Sequence, residues 1–359
     1  MMKKIVAEIY PYDYAHDMYQ EYYRRALKAS MSSCDCDFVQ KSNVYSIALL
    51  RILRRVRHSY RLRDIFNGNL LPNLFDALAR LLSHGPNTES SLSVGLYTFT
   101  NEQKKEIRVC IDTNDFPDIS EKHAASCHIY FKSNYWPSYC YPPNVLPLPN
   151  MNPLVGRNLK LFRRLRAMPK KYDLFAFFRV WGGNDELEGI EHNMALLKAL
   201  SKVKCNSYIL AFLVAGDIPS LGKRLDDIGV SWTTKAMPPL ELWKKAAAAR
   251  LNIVRMGMHQ CVPWRMIDIL AMGGVPIMDY KPMTLWHEPL VEGKHYLNLN
   301  FSLKREQESG NIRDKIESWL QNDSLISSIS MNTAGYFDLY LEPEMLGRSI
   351  IQTVESWRQ

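Results

Sequence analysis

The chain has no apolar run long enough to cross a bilayer; the longest, Tyr208 to Ala215, is the size of a buried strand. Its seven cysteines (Cys34, Cys36, Cys110, Cys127, Cys140, Cys205 and Cys261) include no CxxC pair and fall at scattered spacings. That excludes a zinc-ribbon framework and a regular disulfide scaffold, so reduced thiols in a cytoplasmic protein are expected. No GxGxxG follows the opening strand, which argues against a dehydrogenase. No DxD stands in a loop suited to magnesium, since Asp35 and Asp37 flank Cys36 in the N-terminal half, so no metal site and no cofactor are expected. Repeats and low-complexity tracts are absent. The opening, two lysines followed by Ile5-Val6-Ala7, is too short for a signal peptide or anchor, and any membrane contact is expected to be peripheral.

What is present suits a globular protein of about two domains: 359 residues, 47% of them hydrophobic. The formal net charge is +8 and the pI about 9.0, a balance that favours anionic partners. The excess is clustered in Arg51, Arg54, Arg55, Arg57, Arg61 and Arg63, and again in Arg157, Lys160, Arg163, Arg164, Arg166, Lys170 and Lys171. Apolar residues interleave both clusters, so Arg51–Arg63 and Arg157–Lys171 are read as solvated faces or as amphipathic helices that dock on an anionic membrane, with nucleic acid as an alternative partner.

Strand and helix patterns alternate along the chain, which implies largely parallel sheets. Lys4 to Tyr10 opens as a strand and Met18 to Met31 as a helix. Further strands are expected at Leu92–Thr98, Ile107–Ile111, His128–Lys132 and Val145–Leu148. Six prolines between Pro137 and Pro153 exclude helix from most of that stretch. Trp136, Tyr139 and Tyr141 are read as packing for this connection, with stacking on sugar rings as the alternative. The domain boundary is placed here, giving domains at 1–155 and 172–342, with a terminal helix, 343–359, reaching back to the first. In the second half, strands are expected at Tyr172–Phe178, Ser207–Ala215, Ser231–Ala236, Leu251–Arg255 and Val275–Asp279, and a helix at Trp264–Met272 closed by Gly273-Gly274.

Ligands of open α/β sheets bind beyond the carboxyl ends of strands. Three such ends carry useful residues. Arg179, Gly182 and Gly183 combine a charged fork with glycines that allow close phosphate approach. Gln260, Pro263, Trp264 and Arg265 surround a helix start, where free N–H groups favour a diphosphate; Pro263 suits its first turn. Asp268, one turn on, is placed to accept two hydrogen bonds from ribose hydroxyls, with an ion pair to Arg265 as the plainer role. Asp279 opens a third loop, Asp279-Tyr280-Lys281-Pro282, expected to meet a sugar.

The run Arg265-Met266-Ile267-Asp268-Ile269-Leu270-Ala271-Met272-Gly273-Gly274-Val275-Pro276-Ile277 resembles the donor-domain signature of exostosin-type glycosyltransferases, and Asp279 and Trp286 downstream resemble it too. Gln260 and Asp268 have the spacing of the two glutamates found in many GT-B enzymes, with a glutamine in the first place. The resemblance implies an α/β fold of GT-B type, two Rossmann-like domains whose parallel sheets face a central cleft. It further implies transfer of a sugar from a nucleotide-sugar donor (UDP-linked among the candidates) to a glycan or lipid-linked acceptor, without metal, in polysaccharide biosynthesis. Asp268 would bind the ribose, and position 260 would face the transferred sugar. In the first half, Asp112, Asp115, Asp13 and His16 are candidates for the base that deprotonates the acceptor. A DNA-base glycosyltransferase and a non-catalytic nucleotide- or glycan-binding module of the same fold stay as alternatives.

Overall fold

The computed structural model describes residues 2–9, 18–31, 37–42, 94–180, 189–214, 217–301 and 309–357. The chain divides into two compact units. One comprises Met1–Arg157, Thr284–Glu288 and Leu339–Gln359, the other Asn158–Met283 and Pro289–Asp338. Ser46–Arg57 and Asn73–Ser83, where apolar residues recur at the three- and four-residue steps of a helix, lie outside the described residues.

The first unit starts with β1 (Met2–Ile9), α1 (Met18–Met31) and β2 (Asp37–Ser42), then β3 (Val94–Asn101), β4 (Glu106–Asp112), α2 (Glu121–Ser126), β5 (Ile129–Lys132), β6 (Val145–Pro147) and α3 (Pro153–Arg157). Its sheet runs β2-β1-β3-β4-β5-β6. Parallel pairs dominate, as the largely parallel reading expects, and β3 is antiparallel to both neighbours. The cause is local. Only a tight turn joins β3 to β4: Lys104 takes φ 60°, its N–H donates to Asn101 O at 3.0 Å, and the Asn101 side chain accepts from Lys105 N at 2.9 Å. So short a link allows only a hairpin, whereas a parallel pair needs a long crossover. Along β3, Gly95, Tyr97 and Phe99 point inward at the two-residue period of a half-buried strand.

The second unit contains α4 (Leu159–Leu165), β7 (Tyr172–Val180), α5 (Ile190–Leu200), β8 (Ser207–Leu213), α6 (Ile218–Asp227), β9 (Ser231–Thr233), α7 (Pro239–Ala247), β10 (Ala249–Val254), α8 (Trp264–Ala271), β11 (Pro276–Met278), β12 (Leu297–Asn298), α9 (Ser309–Leu320) and α10 (Asp323–Tyr336). The sheet is parallel throughout, in the order β12-β11-β10-β7-β8-β9. Counted from its own first strand, this is the doubly wound order 3-2-1-4-5-6 read from the far edge. Ala176, Phe178, Ala211, Ile253 and Ile277 on the strands meet Leu196, Leu197, Leu221 and Ile316 from the helices in one apolar core. Local chemistry sets the helix ends. Asp217 caps α6 by accepting from Ser220 N at 3.2 Å, Pro239 opens α7, and Gly273 at φ 62° ends α8, with Gly274 N donating to Ile269 O at 2.9 Å.

The chain ends with α11 (Pro343–Ser356), which lies on α1 within the first unit. The two approach so closely that a Cβ at Gly347 would come within 2.2 Å of Ala26 O and Ser30 Oγ, and Ser30 Oγ donates to Glu344 O at 2.7 Å. Tyr22, fully buried on α1, donates to Leu341 O at 2.7 Å. Among the described residues no helix is long and apolar enough to cross a membrane, and Cys110, Cys127, Cys140, Cys205 and Cys261 are free thiols.

Gly347→Ala must push backbone aside, so it is expected to cost about 1–3 kcal/mol, read from denaturant midpoints. A pH effect is expected at His295. Its buried ring accepts Val291 N–H on Nδ1 at 3.0 Å, and burial, then Lys294, pushes its pKa below the usual histidine value. The folded protein thus prefers the neutral ring. Its contribution is complete above the unfolded pKa of about 6.5 and fades as pH falls towards the folded value. The unfolding midpoint should therefore drop between about pH 7.5 and about pH 5.5, and drop less in His295→Gln.

Candidate functional site

In the second unit β7 pairs with β10 on one side and β8 on the other. The chain leaves β7 towards β8 and leaves β10 towards β11, so the connections part at the carboxyl ends of β7 and β10. In doubly wound sheets that parting is where ligands bind. Arg179 is exposed next to the end of β7. Gly182 and Gly183 lie outside the described residues, as do Asp13, His16 and the Arg51–Arg63 cluster.

After β10 the chain runs through Arg255, Met256 and Gly257 into a 3-10 turn, Met258–Gln260. His259 takes φ 52° and Gln260 φ 53°. Two successive side-chain-bearing residues in the left-handed region are costly, and such strain concentrates at functional sites. The turn is closed by Gly257 N donating to Cys261 O at 3.0 Å. Pro263 then caps α8 with φ −76° and ψ 158°, one residue ahead of the first-turn position expected for it, and Trp264 opens the helix half-buried. Arg265 follows, its Nε 4.0 Å from Asp268 Oδ2 and its guanidinium 5.9 Å from the Phe177 ring centre. Burial lowers the Arg265 pKa and the Asp268 carboxylate opposes that.

Two of the carboxylates, Asp268 and Asp279, are buried. Asp268 is only 4% exposed, and its Oδ2 accepts Trp243 Nε1 at 3.1 Å. The indole of Trp243 itself packs on Phe162, with ring centres 4.8 Å apart. Asp279 is fully buried. Its Oδ1 accepts Met256 N at 3.2 Å, Oδ2 lies 3.2 Å from His192 Nε2, and Arg255 Nη1 is 3.8 Å away. These contacts tie the end of β10 to the end of β11. His192, Arg255 and Trp243 escaped the sequence reading because a buried polar residue leaves no mark on an apolar period. A histidine and an asparagine, His192-Asn193, interrupting the inward side of α5 were the available signal.

In the first unit Asp112 ends β4, with Lys132 opposite it in register on β5. Oδ2 accepts Tyr130 OH at 2.6 Å and Lys132 Nζ at 2.9 Å, and Oδ1 accepts Asn114 N at 2.8 Å. Burial first, then Asp112, pushes the Tyr130 phenol far up. Both Asp112 oxygens are engaged, and Lys132 balances its charge. Asp115 is half-buried; Asn150 Nδ2 lies 3.4 Å from its Oδ1.

The basic stretch is used largely inside each unit. Arg157 forks Glu21. Arg166 forks Asp338 at 2.7 Å through both Nη atoms and donates to Ala271 O at 2.9 Å, while Lys170 donates to Ala247 O at 2.8 Å. Phe162 and Leu165 turn one side of α4 into the core. Lys160, Arg163, Arg164 and Lys171 are exposed. Among the described residues no group of three or more His, Cys, Asp or Glu could hold a metal ion.

No protein-family model matches the sequence, and no curated protein does. Among solved structures the chain is similar to HepE of Anabaena in complex with UDP and glucose, at 11% identity and a TM-score of 0.46 over 99% of this chain and 100% of that one. It is similar to a glycosyltransferase of Rickettsia africae at 10% identity and 0.47, over 99% and 98%. It is also similar to the lipopolysaccharide outer core galactosyltransferase WaaB, at 11% and 0.45, over 93% and 96%.

The Asp112–Lys132 pair carries a stability test. Lys132→Met strands a carboxylate at a site where both side chains are at most 4% exposed, and should cost about 3–5 kcal/mol. Adding Asp112→Asn should recover part of that loss in the same denaturation experiment.

Proposed function

We propose that the protein is a GT-B-type, exostosin-like glycosyltransferase that moves a sugar from a nucleotide-sugar donor to a glycan or lipid-linked acceptor. One observation carries the reading: the strained turn Met258–Gln260 and the start of α8 stand at the switch point of a 3-2-1-4-5-6 sheet. The Arg265–Ile277 run that resembles a donor signature begins at that same place.

In this reading the donor diphosphate meets the amide-rich start of α8 and the Arg265 guanidinium, with Arg179 as a second cation. Charge builds on the leaving diphosphate as the anomeric C–O bond breaks, and fixed donors there stabilise it. Protein groups supply that charge in place of a metal. Gln260, held in the strained turn, faces the transferred sugar. Asp268 acts through Arg265 and Trp243, which it positions. In an inverting displacement the acceptor oxygen bonds to the anomeric carbon, nucleoside diphosphate leaves, and a carboxylate takes the hydroxyl proton. Asp115 suits that task better than Asp112, whose lone pairs are occupied.

A panel of nucleoside diphosphates in a thermal-shift assay, followed by calorimetry, tests the donor assignment. At least one, UDP first, should raise the unfolding temperature, with and without EDTA. Arg265→Ala should weaken that binding roughly tenfold or more. If no nucleoside diphosphate binds, or Arg265→Ala binds as well as wild type, the assignment is wrong.

A further inference from the structure

From Ser133 to Gly156 the sequence contains no Asp, Glu, Lys, Arg or His, although 23% of the chain is charged. The stretch begins where β5 ends, beside the carboxyl end of its parallel partner β4. It builds an aromatic platform. Tyr135 and Tyr141 have ring centres 4.6 Å apart, and Tyr139 and Tyr141 5.1 Å apart. Tyr141 OH donates to Pro117 O at 2.6 Å, which ties the platform to the Asp115-Phe116-Pro117 loop. Asn134 Nδ2 donates to Asp115 O, and Trp136 Nε1 donates to Asn134 Oδ1 at 3.0 Å.

Phe116 is 48% and Tyr139 45% exposed, so the platform is not simply filling for the proline-rich connection. Exposed large rings grouped on one surface mark binding sites. Unused hydrogen-bonding capacity lies beside them. Ser133 Oγ and Trp286 Nε1 are buried and have no partner among the described residues. Ser133 adjoins Asn134, and Trp286 follows Leu285, whose N–H donates to Tyr135 O at 2.8 Å. Burial pushes the Tyr141 hydroxyl up to about 12, so it stays neutral.

A pyranose offers an apolar C–H face ringed by hydroxyls, and these groups match both features: exposed rings for the face and the half-buried Asp115 carboxylate for the rim. A phosphate or uronate would find no cation in the stretch. Lys132, just before it, is fully buried and paired with Asp112, and Asp115 would repel an anion. We propose that Phe116, Trp136 and Tyr139 form an acceptor-side subsite for an uncharged saccharide, one of whose rings lies on Tyr139 with a hydroxyl directed to Asp115. Its role as an acceptor site rests on the glycosyl-transfer reading; saccharide binding itself does not.

The test is saturation-transfer NMR and calorimetry on the full chain, with maltotriose, chitotriose and mannotriose as neutral probes and trigalacturonate and a DNA duplex as anionic ones. At least one neutral trisaccharide should bind better than both anions. Affinity should survive Tyr139→Phe and fall roughly tenfold in Tyr139→Ala, and Phe116→Ala should weaken it too. Absence of neutral binding, preference for an anion, or unchanged binding in Tyr139→Ala overturns the subsite. Nucleoside diphosphate shifts on the same samples separate the two readings. If those shifts persist while no sugar binds, only the subsite falls; if sugars bind and no diphosphate does, the saccharide site stands and glycosyl transfer falls.

Discussion

Pairing β10 beside β7 sends the chain away from the second sheet in opposite directions on either side of that pair. Helices cannot fill the space where the connections part, and the loops at that edge are left to meet a ligand. The strained turn, the start of α8 and Arg265 matter because they sit at this parting. The same residues on an outer strand would read as an ordinary strand–helix connection.

Several charged side chains among the described residues are buried and partnered. Asp112, Asp268 and Asp279 are all buried and each holds at least one N–H or O–H donor from a neighbouring element. Arg157 and Arg166 fork carboxylates of their own units. The carboxylates that pair these cations are already counted in the net charge of +8. Arg179 stands next to the end of β7 and Arg265 in the first turn of α8.

The second unit was largely legible in the sequence because its strands are continuous apolar runs, such as Leu174 to Phe178, and its helices carry explicit stops, such as Gly273-Gly274. The order of those strands was not legible, since parallel neighbours are joined by long crossovers that leave no local trace. In the first unit the hairpin at Asn101–Lys105 was missed for a different reason: the left-handed residue is Lys104, and no glycine marks the turn. Within the site, positions were easier than orientations. Asp268 and Asp279 stand where their spacing put them, but inward or outward is decided by partners distant in sequence, Trp243 and His192. The tyrosines after β5 were visible as a group, while their exposure depended on how the proline-rich chain bends around them.

The segment Thr284–Glu288 belongs to the first unit although the chain on both sides of it belongs to the second. The backbone changes allegiance after Arg157, after Met283, after Glu288 and again after Asp338. No single cut can release either half intact. A fragment ending at Arg157 would lack the loop that carries Trp286 and the terminal helix that covers α1, so its aromatic surface and its core would both be left open. Dissection would require circular permutation or co-expression of complementary pieces, and the two sheets cannot be inherited as independent, swappable cassettes.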